Sequence, residues 1–129
     1  MKVSILGTEY EIIEQTEEQN PKLRNNNGLC EIYSHRIILN ADIQEDELTY
    51  ENFQEFKNRV LRHEIIHAFF AESGLRGNSE YAENEELVDW IAIQLPKINI
   101  VLQQIGENCG ANVSEISTGS ESQERSDKE

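Results

Sequence analysis

Apolar positions alternate in short runs through the first part of the chain and recur at a helical period through the second. Val3-Ser4-Ile5-Leu6 and Tyr10-Glu11-Ile12-Ile13 flank Gly7-Thr8-Glu9, which predicts a hairpin over residues 3–13. A polar stretch with Asn20-Pro21 and Asn25-Asn26-Asn27-Gly28 reads as a loop. Leu29–Tyr33 and Arg36–Leu39 flank Ser34-His35, which predicts a second, tight hairpin, and Asp42 to Asp46 is an acidic connector. The period then changes. A long helix is expected from about Thr49 to Ser73, closed by Gly74, with Phe53, Phe56, Val60, His63, His67 and Phe70 on one inward stripe. A second helix should run from Ser79 or Glu80 to Leu95, with Val88, Ile91, Ala92 and Leu95 as its core. Pro96 should kink or restart it, giving a shorter third helix from Lys97 to Ile105 with Ile98, Val101, Leu102 and Ile105 inward. The expected class is α+β: N-terminal hairpins forming a small antiparallel sheet, packed on a central helix and followed by the other two.

Composition changes this picture little. The 129 residues suit one domain over 1–106, and residues 107–129, rich in Ser, Asn and charge, read as a disordered acidic tail. The net charge of −14 comes from 25 acidic and 11 basic residues, spread over both parts. Such a surface offers nothing to release counterions from a phosphate backbone, so nucleic acid is excluded as a partner. Lys57, Arg59 and Arg62 are the densest basic group, and they read as a solvated helix face. No apolar run is long enough for a membrane span, and Glu9 and Glu11 interrupt any signal-like start. Cys30 and Cys109 form no C-x-x-C, so free thiols and a cytoplasmic setting are expected.

The candidate chemistry lies in His63-Glu64-Ile65-Ile66-His67, an H-E-x-x-H pattern on the long helix. Four residues turn through about 400°, so both imidazoles leave one face about 6 Å apart along the axis. Two neutral imidazoles so placed can fill two corners of a tetrahedral zinc site. Glu64 lies about 100° round from His63, which puts a carboxylate beside a metal-activated water.

A catalytic zinc needs a third protein ligand. Glu80, Glu83, Glu85, Glu86 and Asp89 are the candidates. On a helical wheel Glu85 and Asp89 share a face at the margin of the core stripe, while Glu86 turns towards solvent. One of the pair can ligate and the other can hold a ligand imidazole by its free ring N–H.

With Glu85-Glu86-Leu87-Val88-Asp89 following 18 residues after the motif, the chain resembles the H-E-x-x-H…E-x-x-x-D signature of the gluzincin metallopeptidases. The segment from Glu85 to Pro96 is also similar to the helix after the active site in small prophage-associated ImmA/IrrE-like metallopeptidases. The resemblance implies a minimal zincin-like fold and one Zn²⁺ per chain. It assigns His63, His67 and Glu85 as ligands, Asp89 as the residue orienting a ligand imidazole, and Glu64 as general base. The implied activity is hydrolysis of a protein or peptide substrate. Tyr81 is the first candidate for oxyanion donor, with His35 and Tyr50 behind it, and the layout suggests that the strand around Arg36–Leu39 offers an edge to substrate. The alternative is a non-catalytic zinc-binding or regulatory module of phage origin.

Overall fold

The structure, a computed structural model, describes residues 1–43 and 52–106. The expected connector beyond Ile43, the helix start at Thr49, Tyr50, Cys109 and the tail 107–129 lie outside the described residues. Two compact units are present, Met1–Gln94 and the chain from Leu95 onward.

The class is α+β. In the first unit β1 (Lys2–Ile5), β2 (Thr8–Gln15), β3 (Gly28–Glu31) and β4 (Arg36–Asn40) form a four-stranded sheet in the order β1-β2-β4-β3. The first hairpin closes one step earlier than expected, through Leu6-Gly7, with Ile5 opposite Thr8. Both loop residues have positive φ, 50° and 91°, the conformation that matches strand twist in a two-residue turn. The second hairpin pairs Glu31 with Arg36 across a four-residue loop, and Arg36 Nε and Nη2 both donate to Glu31 Oε1.

The sheet is mixed, where an antiparallel one was expected. β2 and β4 run parallel, with Ile12 opposite Ile37. The polar stretch between β2 and β3 explains why. It contains a 3-10 turn, Pro21–Asn25, whose Asn20 cap accepts from the Lys22 N–H and whose Leu23 is fully buried. That connection carries the chain past the neighbouring position, so β3 lands on the far edge and β4 returns between β3 and β2. Ile37 and Ile38 point to opposite faces and both are fully buried. Such an unbroken apolar run marks a strand covered on both sides. The strand around Arg36–Leu39 is therefore interior, and the edges are β1 and β3. Asn40, at the end of β4, ties the connection down: its Nδ2 donates to the carbonyls of Leu23 and Asn26 and to Glu17, and its Oδ1 accepts from the Asp42 N–H.

Helix α1 (Phe53–Glu72) is capped by Asn52, which accepts from the Glu55 N–H, and ends at Ser73 before Gly74 at φ 88°. It is buried along two flanks. With Val60 at 0° and about 100° per residue, Leu61, Glu64, Ile65 and Ala68 gather between about 40° and 140°. There Leu61, Ile65 and Ala68 pack with Ile5, Tyr10, Ile12 and Ile37 of the sheet. Ile66 and Phe70, near 240–280°, pack instead with Val88, Ile91 and Ala92. His63 and His67 fall between the flanks, at about 300° and 340°, and Phe69 on the opposite side is exposed. The inward stripe expected from the sequence is thus divided between sheet, second helix and a cleft.

Residues 80–83 do not begin the second helix as expected. They form a separate 3-10 turn, and α2 (Glu85–Gln104) starts afresh behind Asn84, whose Oδ1 accepts from the Leu87 N–H. Nor does Pro96 end it, so the third helix is a continuation of α2. A proline at position 96 leaves the carbonyl of Ala92 without its helical donor. Arg62 Nε donates to that carbonyl at 2.8 Å, which removes much of the reason for a break. In the second unit the described residues are the rest of α2 and its end at Gly106. Leu95, Ile98, Val101 and Ile105, expected inward, are exposed there.

Candidate metal centre

The two helices of the first unit meet as a ladder. Along α1 stand Arg59, His63 and His67, each four residues after the last, and along α2 stand Glu85 and Asp89 at the same spacing. Equal spacing lets each carboxylate sit between two nitrogen groups. Glu85 Oε1 lies 2.9 Å from His63 Nε2 and 3.2 Å from His67 Nε2. Asp89 Oδ1 lies 3.4 Å from His63 Nδ1, and Arg59 Nη2 donates to Asp89 Oδ2 at 2.6 Å. Glu86, one residue on, is exposed and joins none of these contacts.

The two Nε2 atoms are themselves 3.2 Å apart, so three donor atoms form a triangle with edges of 2.9, 3.2 and 3.2 Å. Tetrahedral ligands about 2.05 Å from zinc are separated by about 3.3 Å. The triangle therefore fits three corners of such a site with little movement. Two imidazole nitrogens and a carboxylate oxygen this close need a shared proton or a cation between them. His63, His67 and Glu85 are also the one group of three or more such residues, among those described, whose ligand atoms all lie close together.

Electrostatics follow the same geometry. Burial is the largest influence on Glu64, His67 and Glu85, and a hydrogen bond is the largest on Asp89. Glu64 is only 7% exposed, and no hydrogen-bond donor among the described residues reaches its carboxylate. Burial pushes its pKa up to about 7, with the Glu85 charge adding to the rise and His63 opposing it. Burial holds His67 below its ordinary value, against the pull of Glu85, so the neutral imidazole a metal requires is favoured. Burial raises Glu85, but His67 and His63 outweigh it and the net shift is downward. Asp89 is lowered chiefly by its hydrogen bond from Arg59.

These groups open onto a cavity of about 630 Å³ whose far wall is β3 and the loop before it. Gly28 makes that wall close: a Cβ there would stand 3.1 Å from Glu64 Cγ and from Val60 Cγ1. Cys30 also lines the cavity, with its thiol pushed up to about 12 by burial and then by the Glu64 charge, which favours the protonated thiol.

The residues expected at the site divide into two sets. His63, Glu64, His67, Glu85 and Asp89 are brought together. Tyr81 is 53% exposed on the 3-10 turn and His35 sits at the β3–β4 loop with φ 57°, its ring 5.3 Å from that of Tyr10; neither lines the cavity. Sequence reasoning missed Gly28, Arg59 and Arg76 on the cavity wall, and it assigned Arg59 and Arg62 to a solvated face when both hold α2. The signal for Arg59 was its place four residues before His63, in step with Asp89 four after Glu85. No helix among the described residues is long and apolar enough to cross a membrane. Compared with family models, curated proteins and solved structures, the chain finds no match.

Proposed function

We propose that the protein is a zinc-dependent peptidase of gluzincin type, with His63, His67 and Glu85 as ligands and Glu64 as general base. One observation carries the reading. Three ligand atoms converge at tetrahedral spacing directly beside a buried glutamate that has no hydrogen-bond donor of its own among the described residues. When bound, zinc supplies a Lewis acid that brings the pKa of water towards neutrality and polarises a carbonyl. The rest falls to the chain. Glu64, buried beside the ligand atoms, takes the proton of the attacking water and returns it to the leaving amine. The Nδ1–H of His63 donates to Asp89, which fixes the tautomer with its Nε2 lone pair towards the site. The edge strand beside the cavity is β3, so an extended peptide would add to Gly28–Glu31 and cross Glu64. A cytoplasmic setting fits the free thiol of Cys30.

Metal analysis and a broad peptide library test this together. The wild type should carry about one zinc per chain and cleave, while Glu64→Gln should keep the metal and lose cleavage. Glu85→Ala should release the metal and Glu86→Ala should not. A zinc-loaded wild type that cleaves nothing would leave the non-catalytic zinc-binding module of phage origin as the reading. A wild type without zinc would sink both.

A further inference from the structure

Arg59 touches none of the three ligand atoms, yet it makes the shortest polar contact in the ladder. Its Nη2 donates to Asp89 Oδ2 at 2.6 Å and its Nε approaches Asp89 Oδ1 at 3.4 Å. A guanidinium that meets a carboxylate side-on fixes the plane of the carboxylate as well as its position. The same Oδ1 is the atom that faces His63 Nδ1. Arg59 and His63 stand one turn apart on α1, so the rigid helix sets their separation and Asp89 is gripped between them.

We infer that Arg59 is a positioning residue for the metal centre, clamping Asp89 so that His63 presents Nε2 at the angle the ion requires. This rests on the zinc reading and deepens it. A plain interhelical ion pair is the competing account, and it explains less. The two side chains are 40% and 36% exposed, and pairs that open to water add little to stability. An Asp freed from Arg59 would have other rotamers available, and the ring it holds would turn with it. A metal site is sensitive to such a change where a fold is not: loss of a partner hydrogen-bonded behind a ligand typically weakens metal affinity 10- to 100-fold. Lysine in place of Arg59 keeps the charge but cannot make the side-on contact.

The test is a competitive zinc titration of the full chain against a chromophoric chelator, for wild type, Arg59→Gln, Arg59→Lys, Asp89→Asn and Arg59→Gln/Asp89→Asn. Thermal unfolding of each metal-free chain runs alongside. Arg59→Gln should weaken zinc binding by about tenfold and Arg59→Lys by several-fold, with metal-free melting close to wild type. In the Asp89→Asn background, Arg59→Gln should add less than about twofold, because its effect passes through Asp89. Wild-type affinity in either Arg59 variant would overturn the proposal, as would the full tenfold loss persisting without the Asp89 carboxylate. Should Arg59→Gln fail to fold, Arg59→Lys decides alone by the same criterion. A wild type that binds no zinc is a separate outcome: it removes the metal reading itself and this proposal with it.

Discussion

Glu64 and Glu72 lie two turns apart on the sheet-facing side of α1, and they end in opposite states. Glu72 stands over the first hairpin, where the Thr8 hydroxyl donates to Oε1 at 2.9 Å and the Tyr10 hydroxyl to Oε2 at 2.7 Å. Those bonds, Tyr10 first, hold its pKa below the ordinary value. Glu64 stands over Gly28 at the other edge of the sheet, where the strand offers no side chain at all, and its pKa rises to about 7. Two identical side chains on one helix thus become a hydrogen-bonded anchor and a buried carboxyl raised towards neutrality. What lies beneath each one decides which.

The largest expected effect separates the two chemically. Glu64→Gln should lower peptide cleavage by about 10²-fold or more while zinc stays bound, and Glu72→Gln should leave cleavage nearly unchanged. Steady-state rates on one fluorogenic peptide check both, and equal losses would erase the distinction. The next effect is on stability in the metal-free chain. A carboxyl raised from 4.5 unfolded to about 7 folded binds more protons in the native state between those values, so stability falls as pH rises through that window. Above it the accumulated penalty is about 3 kcal/mol, at about 1.4 kcal/mol per pH unit. Glu64→Gln should therefore melt higher than wild type at pH 8 and close to it at pH 4. For Glu72 the sign reverses. Its lowered pKa stabilises above the unfolded value and that contribution disappears as pH falls through the folded one, so Glu72→Gln should flatten the acid side of the profile.

Gly28→Ala tests the wall over Glu64. The new Cβ would press on Glu64 Cγ and Val60 Cγ1 at 3.1 Å, and the expected cost is about 1–3 kcal/mol in urea unfolding. An unchanged midpoint would mean that β3 can lift away from α1. The smallest effect is at the anchored end. Tyr10→Phe removes one hydroxyl donor from a fully buried ring and should cost about 1 kcal/mol without altering zinc content.

Much of the site was legible along the chain. The spacing of His63 and His67, the shared face of Glu85 and Asp89, and the outward turn of Glu86 are consequences of helical geometry within a single element, which the backbone imposes whatever surrounds it. Gly74 as the stop of α1 is local in the same way. The start of α2 was misplaced because Glu80–Glu83 has helical composition, yet the Asn84 side chain caps the helix that follows it. The wheel still held, since Glu85 and Asp89 lie within one continuous helix.

The sequence by itself determined the four strands, the long helix α1 and the phase of His63, His67, Glu85 and Asp89, because those depend on neighbours a few positions away. Only the tertiary structure decided that β4 lies between β3 and β2, parallel to β2 alone, leaving β3 at the edge beside the cavity. Only contact between α1 and α2 gave Arg59 the Asp89 carboxylate as its partner and made Arg62 the donor for the carbonyl that Pro96 leaves free. Glu64 and Glu72 differ for the same reason. Which strand passes under a helical side chain depends on how separate elements pack, and no pattern confined to one element encodes it.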